Sequence, residues 1–192
     1  MRKKFLAKLS LILFVFLYTE ARMELNAQNK GGKGRPLVAY FSWGGNTRSV
    51  AEQIQRAVGG DLFEIKTVKP YPAEYRPATE VAKQEQDADA RPELAARVNG
   101  VDSYGVVFLG YPNWWGTIPM PLYTFLESYD FSGKTIFPFC TNGGSGLGRS
   151  VSDIQKLCPK ATVGEGLAIR TEHAKSAQND VTAWLRKQGL AK

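Results

Sequence analysis

The stretch from Leu37 to Ile54 restricts what this chain can fold into more than any other part of it. It reads Leu-Val-Ala-Tyr-Phe-Ser-Trp-Gly-Gly-Asn-Thr-Arg-Ser-Val-Ala-Glu-Gln-Ile. Leu37 to Phe41 is an unbroken apolar and aromatic run, the pattern of a strand buried on both faces of a parallel sheet. Val50, Ala51, Ile54, Ala57 and Val58 then recur at helical spacing and form one apolar stripe. Between the two, Ser42, Asn46 and Thr47 supply hydroxyls and an amide, while Gly44 and Gly45 let backbone approach a ligand closely. A strand that hands over to a helix through such a loop turns free N–H groups and the positive end of the helix dipole outward. The spacing therefore predicts a phosphate cradle that needs no buried cation. An ordinary strand-to-helix turn, capped by Ser42 and Asn46, shares part of this pattern.

Two other phosphate loops are excluded. There is no G-x-x-x-x-G-K-[ST], so no lysine reaches a β/γ-phosphate pair, and no G-x-G-x-x-G for a dinucleotide pyrophosphate. Tyr40-x-Ser42-x-x-Gly45-x-Thr47 followed by a helix instead fits, with one departure at Ala39, the phosphate loop of flavodoxins. From these residues the chain resembles a flavodoxin-like flavoprotein.

Length and composition bound the remainder. At 192 residues with 43% hydrophobic content the chain suits one core. Met1 to Ala27 stands apart from it. Arg2, Lys3, Lys4 and Lys8 lead into an apolar run, Leu9 to Tyr18, that is too short to span a bilayer comfortably and reads as a secretory signal peptide. Cleavage is expected after Ala21 or Ala27. No cysteine lies in the segment to carry a lipoprotein anchor, and a membrane tether is expected only if the segment stays uncleaved. Residues 28–35 follow as a flexible basic leader, and 36–192 as the folded domain. An exported, periplasmic protein is the expectation.

The net charge of +7 falls to +4 once the five basic and two acidic residues of the signal segment are removed. That is mild, and the basic residues are scattered rather than interleaved with aromatics, so nucleic-acid binding is not expected. It also departs from flavodoxins, which are usually strongly acidic around the flavin. Export would place Cys140 and Cys158 in an oxidising compartment. They lie at the ends of a strand and of the helix that follows, about ten residues of helix or roughly 15 Å apart. A disulfide needs Cα atoms within about 7 Å, so both read as buried thiols. His173 is the single histidine, and no metal-ligand spacing occurs.

Beyond the first helix, Asp61 to Val68 alternates as an exposed edge strand. A long crossover, Lys69 to Gly100, then holds a polar helix from about Thr79 to Ala88. Tyr104 to Leu109 and Thr135 to Cys140 read as buried strands, the second with a misfit at Pro138 that a bulge or an unpaired segment must accommodate. Leu147 to Leu157 reads as a helix, Ala161 to Ile169 contains the last strand, and Ala174 to Leu190 is an amphipathic helix with Gly189 as its cap. The alternation predicts an α/β fold, a doubly wound five-stranded parallel sheet with helices on both faces. Ligands of such sheets sit beyond the carboxyl ends of the strands. The resemblance implies the strand order 2-1-3-4-5.

Two further loops leave carboxyl ends of strands. Gly110 to Pro121 places two of the four tryptophans, Trp114 and Trp115, side by side between prolines and glycines, where no periodic face would hide both. They suit the wall of a planar heterocycle, with stacking adding roughly 0.5–1.5 kcal/mol per pair. They equally suit a plug at the edge of the core. Thr141 to Gly148 carries four glycines, whose freed N–H groups suit the polar edge of an isoalloxazine or, more plainly, a connector.

The resemblance covers about Pro36 to Leu190 and implies FMN as cofactor. By position, Ser42, Gly44, Asn46 and Thr47 would hold the phosphate. Pro112, Asn113, Trp114, Trp115 and Gly116 would lie against the flavin, and Thr141, Asn142, Gly143 and Gly144 at its pyrimidine edge. Gly116 is the candidate for a peptide able to turn its carbonyl toward the flavin. No protein nucleophile or acid/base pair is implied. Three functions follow from this: an exported electron carrier, an FMN-dependent NAD(P)H or quinone reductase whose substrate site the crossover supplies, and an interaction module that kept the fold without flavin. Both glycine-bearing loops lack Asp and Glu, with Arg48 and Arg149 flanking them, so a neutral-to-basic rim is expected. Such a rim would serve an acidic redox partner or a small quinone-like acceptor.

Overall fold

A computed structural model describes residues 34–191. The expected signal segment and most of the basic leader lie outside the described residues. β1 (Leu37–Tyr40) pairs in parallel with both β2 (Asp61–Glu64) and β3 (Val106–Pro112), and β3 pairs with β4 (Thr135–Asn142). The fifth position is shared by two short strands, β5 (Thr162–Val163) and β6 (Leu167–Arg170), both parallel to β4. The order is β2-β1-β3-β4-β5, as expected. Five helices flank the sheet: α1 (Asn46–Val58), α2 (Tyr75–Asp87), α3 (Met120–Glu127), α4 (Ser150–Leu157) and α5 (Gln178–Lys187).

Alternate residues of the central strands feed two cores. Leu37, Ala39, Leu109 and Ile136 pack with Leu122, Phe125 and Ile154 of α3 and α4. Val38, Tyr40, Phe108 and Phe139 pack with Ile54 of α1 and with Val181 and Leu185 of α5. This double burial is why the strands read as continuous apolar runs. Gly110 lets the sheet close, because a Cβ there would lie 2.2 Å from the Phe139 ring.

Pro138 finds its place through the break in the fifth strand. Thr135 N–H bonds Gly105 O on the β3 side, whereas Ile136 O accepts from Gly164 on the other. By alternation Pro138 faces outward, where residues 164–166 leave the sheet between β5 and β6. No ladder donor is missing there. β2 is shorter than expected because the chain turns away to pair with the returning crossover: Thr67 bridges Leu94 antiparallel, and Val68 N–H bonds Glu93 O at 2.9 Å.

Helix starts also shift. α2 begins at Tyr75, earlier than expected, with Pro77 in the first turn where an absent N–H costs nothing. α4 begins only at Ser150, since Gly146 and Gly148 hold φ of 61° and 56°. The C-terminal helix divides into a 3₁₀ turn, Thr171–Ser176, and α5, after which Gly189 at φ 72° ends it as expected. Both cysteines are free and buried. Burial pushes the Cys140 thiol up to about 12 and Cys158 to about 11, so neither is a thiolate near neutral pH. Among the described residues no helix is long and apolar enough to cross a membrane. No group of three or more His, Cys, Asp or Glu among them is placed to hold a metal ion.

Candidate functional site

The carboxyl ends of β1, β3 and β4 converge on a cleft of about 230 Å³. Of the residues singled out from the sequence, Ser42, Gly44, Asn46 and Thr47 line it from the β1 side. Pro112, Asn113, Trp114, Thr141, Asn142 and Gly143 line it from β3 and β4. No lining side chain is charged.

The β1 loop enters α1 through Gly45 in the left-handed conformation (φ 83°). The Ser42 hydroxyl accepts the N–H of Arg48 at 3.2 Å, which leaves its own proton free to donate. The N–H groups of Gly45, Asn46 and Thr47 precede the first intrahelical bond, Ser49 N–H to Gly45 O, and so face out with the helix dipole behind them. Thr47 is buried, and its hydroxyl is joined to that of Thr141 at 2.8 Å, tying the two loops together.

Asn142 organises the glycine loop. Its Oδ1 accepts the N–H groups of Gly144 (2.8 Å) and Gly146 (3.1 Å), and its Nδ2 donates to Ile169 O at 3.1 Å. The expectation that the glycine N–H groups are freed for a ligand fails for these two glycines, and Gly144 does not line the cleft. Asn113 donates from Nδ2 to Gly146 O at 2.6 Å. Its Oδ1 is buried and, among the described residues, has no partner.

Trp114 stands edge-on to Phe41 (5.4 Å) and Tyr71 (5.1 Å). Trp115 and Gly116 form the tip of a two-residue turn closed by Trp114 and Thr117 in both directions, with φ of 50° and 82°. Neither Trp115 nor Gly116 lines the cleft. Trp115 is 51% exposed, and its indole N–H donates to Thr79 O at 3.0 Å. The Gly116 carbonyl accepts the N–H of Arg149 at 2.9 Å, so that peptide is pinned to α4 rather than turned toward the cleft.

Beneath the turn, buried Asp153 accepts from the Thr117 hydroxyl (2.6 Å), Arg149 Nε (3.0 Å) and the Tyr123 hydroxyl (3.3 Å). Burial alone would raise this carboxyl, but the hydrogen bonds from Thr117 and Arg149 outweigh it and hold it below the usual range. Arg149 is therefore paired, and Arg48 is paired with Glu64, so the flanking cations are neutralised.

Three lining residues were not singled out from the sequence: Trp43, Tyr75 and Thr171. Trp43 was findable, being an aromatic beside two glycines with no apolar face to hide it. Its indole N–H donates to Pro72 O at 2.8 Å, and its ring meets Tyr75 edge-on at 6.3 Å. Tyr75 arrives from the crossover and Thr171 from the end of β6, placements that only the tertiary fold supplies.

Fold and cleft define a doubly wound α/β protein with an uncharged, aromatic-walled site at the switch point of its sheet. A family model described as flavodoxin matches residues 35–188, and the chain belongs to that family. It is similar to a candidate flavoprotein of Bacteroides eggerthii DSM 20697, with 34% identity, TM-score 0.69, and coverage of 80% of this chain and 96% of that one. A candidate flavoprotein of Bacteroides uniformis ATCC 8492 gives 31% identity, TM-score 0.70, and coverage of 80% and 98%. A flavoprotein from Lactobacillus acidophilus NCFM, solved in complex with FMN, shares the fold at 22% identity and TM-score 0.59, covering 77% of this chain and 97% of that one. No curated protein matches the chain.

Proposed function

We propose that this protein is an FMN-binding electron-transfer flavodoxin that acts outside the cytoplasm. One observation carries the cofactor: an uncharged cleft in which open N–H groups and aromatic walls meet at the carboxyl ends of three adjacent strands. FMN fits each part. Its phosphate is held by the N–H groups of Gly45, Asn46 and Thr47 with the Ser42 hydroxyl, without a side-chain cation. Asn113 lines the same cleft and is held in place by its bond to Gly146 O. Trp43, Trp114 and Tyr75 supply apolar surface for the ring.

When bound, FMN supplies one- and two-electron transfer, and the protein's part is to bind, orient and shield. Trp114, backed by Phe41 and Tyr71, fixes one wall. The Asp153 network fixes the turn that carries Trp114. The neutral lining gives no long-range steering of a charged partner, so a small quinone-like acceptor, or a redox protein that docks without such steering, suits the rim.

A reductase of the same fold is the second reading, favoured by a groove in the crossover that Tyr71 separates from the cleft. Purified protein is expected to quench FMN fluorescence in a saturable titration. Steady-state oxidation of NAD(P)H with a quinone then separates the readings, since a carrier gives no turnover and a reductase does. Cell fractionation with N-terminal sequencing tests export: a mature start after Ala21 or Ala27 in the periplasmic fraction is expected, and an intact Met1 in the cytoplasmic fraction would refute it.

A further inference from the structure

The crossover borders a half-open groove of about 720 Å³, within the range of sites that hold small molecules. Its walls are the outgoing segment from Thr67 to Pro72, the returning segment from Ala90 to Glu93, and α2, which contributes Val81 and Glu85. The two segments are stitched by Val68 N–H to Glu93 O and by Ala95 N–H to Lys66 O at 2.8 Å, so the walls are built rather than loose. Three prolines and Tyr71 give flat apolar surface. Thr67, Lys69, Arg91 and Glu93 also contribute to the lining, and beside the rings the Tyr71 hydroxyl donates to the Glu85 carboxylate.

The geometry points to this groove as a binding site for a small, neutral, planar aromatic that carries a hydroxyl, the chemistry of a phenol or hydroquinone. The flat walls select the ring. Glu85 selects the hydroxyl, because a carboxylate that accepts one donor keeps acceptor sites for another. Charge selects neutrality. Arg91 is committed to Glu127 and Asp89 and is not free for an anion, while Lys69 lies close enough to Glu85 to offset its charge. Glu93, the remaining charged residue of the lining, is exposed to solvent and disfavours an anion further. Partial burial raises the Glu85 carboxyl above its ordinary value, against the pull of Tyr71 and Lys69.

Tyr71 gives the site a consequence. Its ring meets Trp114 at 5.1 Å and Phe41 at 5.6 Å, so a ligand against Tyr71 presses on the wall of the flavin cleft. The two sites are distinct and meet through the contact of Tyr71 with Trp114. Binding itself stands apart from the flavodoxin reading. Only its use, as the place where a quinol-type acceptor docks, rests on that reading.

The test is calorimetric titration of the full chain with 2-naphthol, alone and with FMN at saturation, alongside 2-methoxynaphthalene, which has the same ring without the donor. One 2-naphthol site is expected, retained under FMN, with the methoxy compound about tenfold weaker, the loss of roughly one hydrogen bond to a charged acceptor. Glu85→Gln should narrow that tenfold gap. Val81→Phe, which fills the groove, should remove binding, with thermal melting as the check that it folds. If it does not fold, the pair of ligands decides on the unmodified protein. Displacement of 2-naphthol by FMN, equal affinity for the two compounds, or no binding at all would overturn the site. Failure of FMN to bind while 2-naphthol still does would sink the flavodoxin function and leave this site standing.

Discussion

The cleft has two walls of different make. The sheet-borne wall, from β1 through α1 and the ends of β3 and β4, is continuous with both cores: Val50, Ala51 and Ile54 are fully buried, and Thr47 is joined to Thr141 beneath the loop. The crossover wall is hung on a few points: Trp43 to Pro72, Trp115 to Thr79, and the ring contact of Tyr71 with Trp114. Of α2 only Ala78 and Ala82 are buried, and Tyr75 is 71% exposed where it meets the cleft. Position on the first wall is over-determined by packing. On the second it depends on single hydrogen bonds worth about 0.5–1.5 kcal/mol each. A binding surface built this way is rigid on the side of α1 and leaves the other wall able to adapt.

The sharpest way to break this comparison is in the core. Ile54→Ala should cost about 2–5 kcal/mol in chemical denaturation. Ala82→Gly on α2 should cost about 1 kcal/mol, mostly helix propensity. Equal losses would mean that the crossover is as integral as α1. Thr47→Ala comes next, at about 1–3 kcal/mol, because Thr141 is left with a buried hydroxyl and no partner. That loss should appear in the melting of the flavin-free protein.

Asp153 supplies a pH-dependent term on the same wall. Its carboxyl is lowered in the folded state, so its contribution is complete above the ordinary value of 3.8 and is lost as pH falls through the folded value. Asp153→Asn should be less stable than the parent at pH 7 by about 1–3 kcal/mol, with the gap closing below about pH 4. A gap that widens in acid would contradict the assigned sign. The smallest expected effect is on the hung wall. Trp43→Phe removes only the bond to Pro72, so global stability should shift by less than about 1.5 kcal/mol while amide exchange in residues 72–80 accelerates.

The same division decides what could be read from the sequence. Leu37 to Ile54 was legible because strand, loop and helix each declare themselves within a few residues. Pro138 announced an irregularity, but only the pairing of β4 shows that its answer is a split fifth strand. Trp115 and Gly116 are expected at the flavin, and they form a two-residue turn outside the lining of the cleft. The sequence holds the turn residues but not the Arg149 and Asp153 anchors that fix its direction. The crossover was legible only as long and proline-rich. Its pairing of Thr67 with Leu94, and the arrival of Tyr75 beside Trp43, join residues that no local period connects.

The central claim is that FMN is held by its phosphate on an uncharged α1 loop, and one measurement tests it most directly. FMN and riboflavin are titrated into the parent and into Ser42→Ala, followed by flavin fluorescence. The account predicts that FMN binds more tightly than riboflavin, that Ser42→Ala weakens FMN by about 1–3 kcal/mol, and that riboflavin is indifferent to the change. Equal affinities for the two flavins, or equal losses for both in Ser42→Ala, would place the phosphate elsewhere and contradict it.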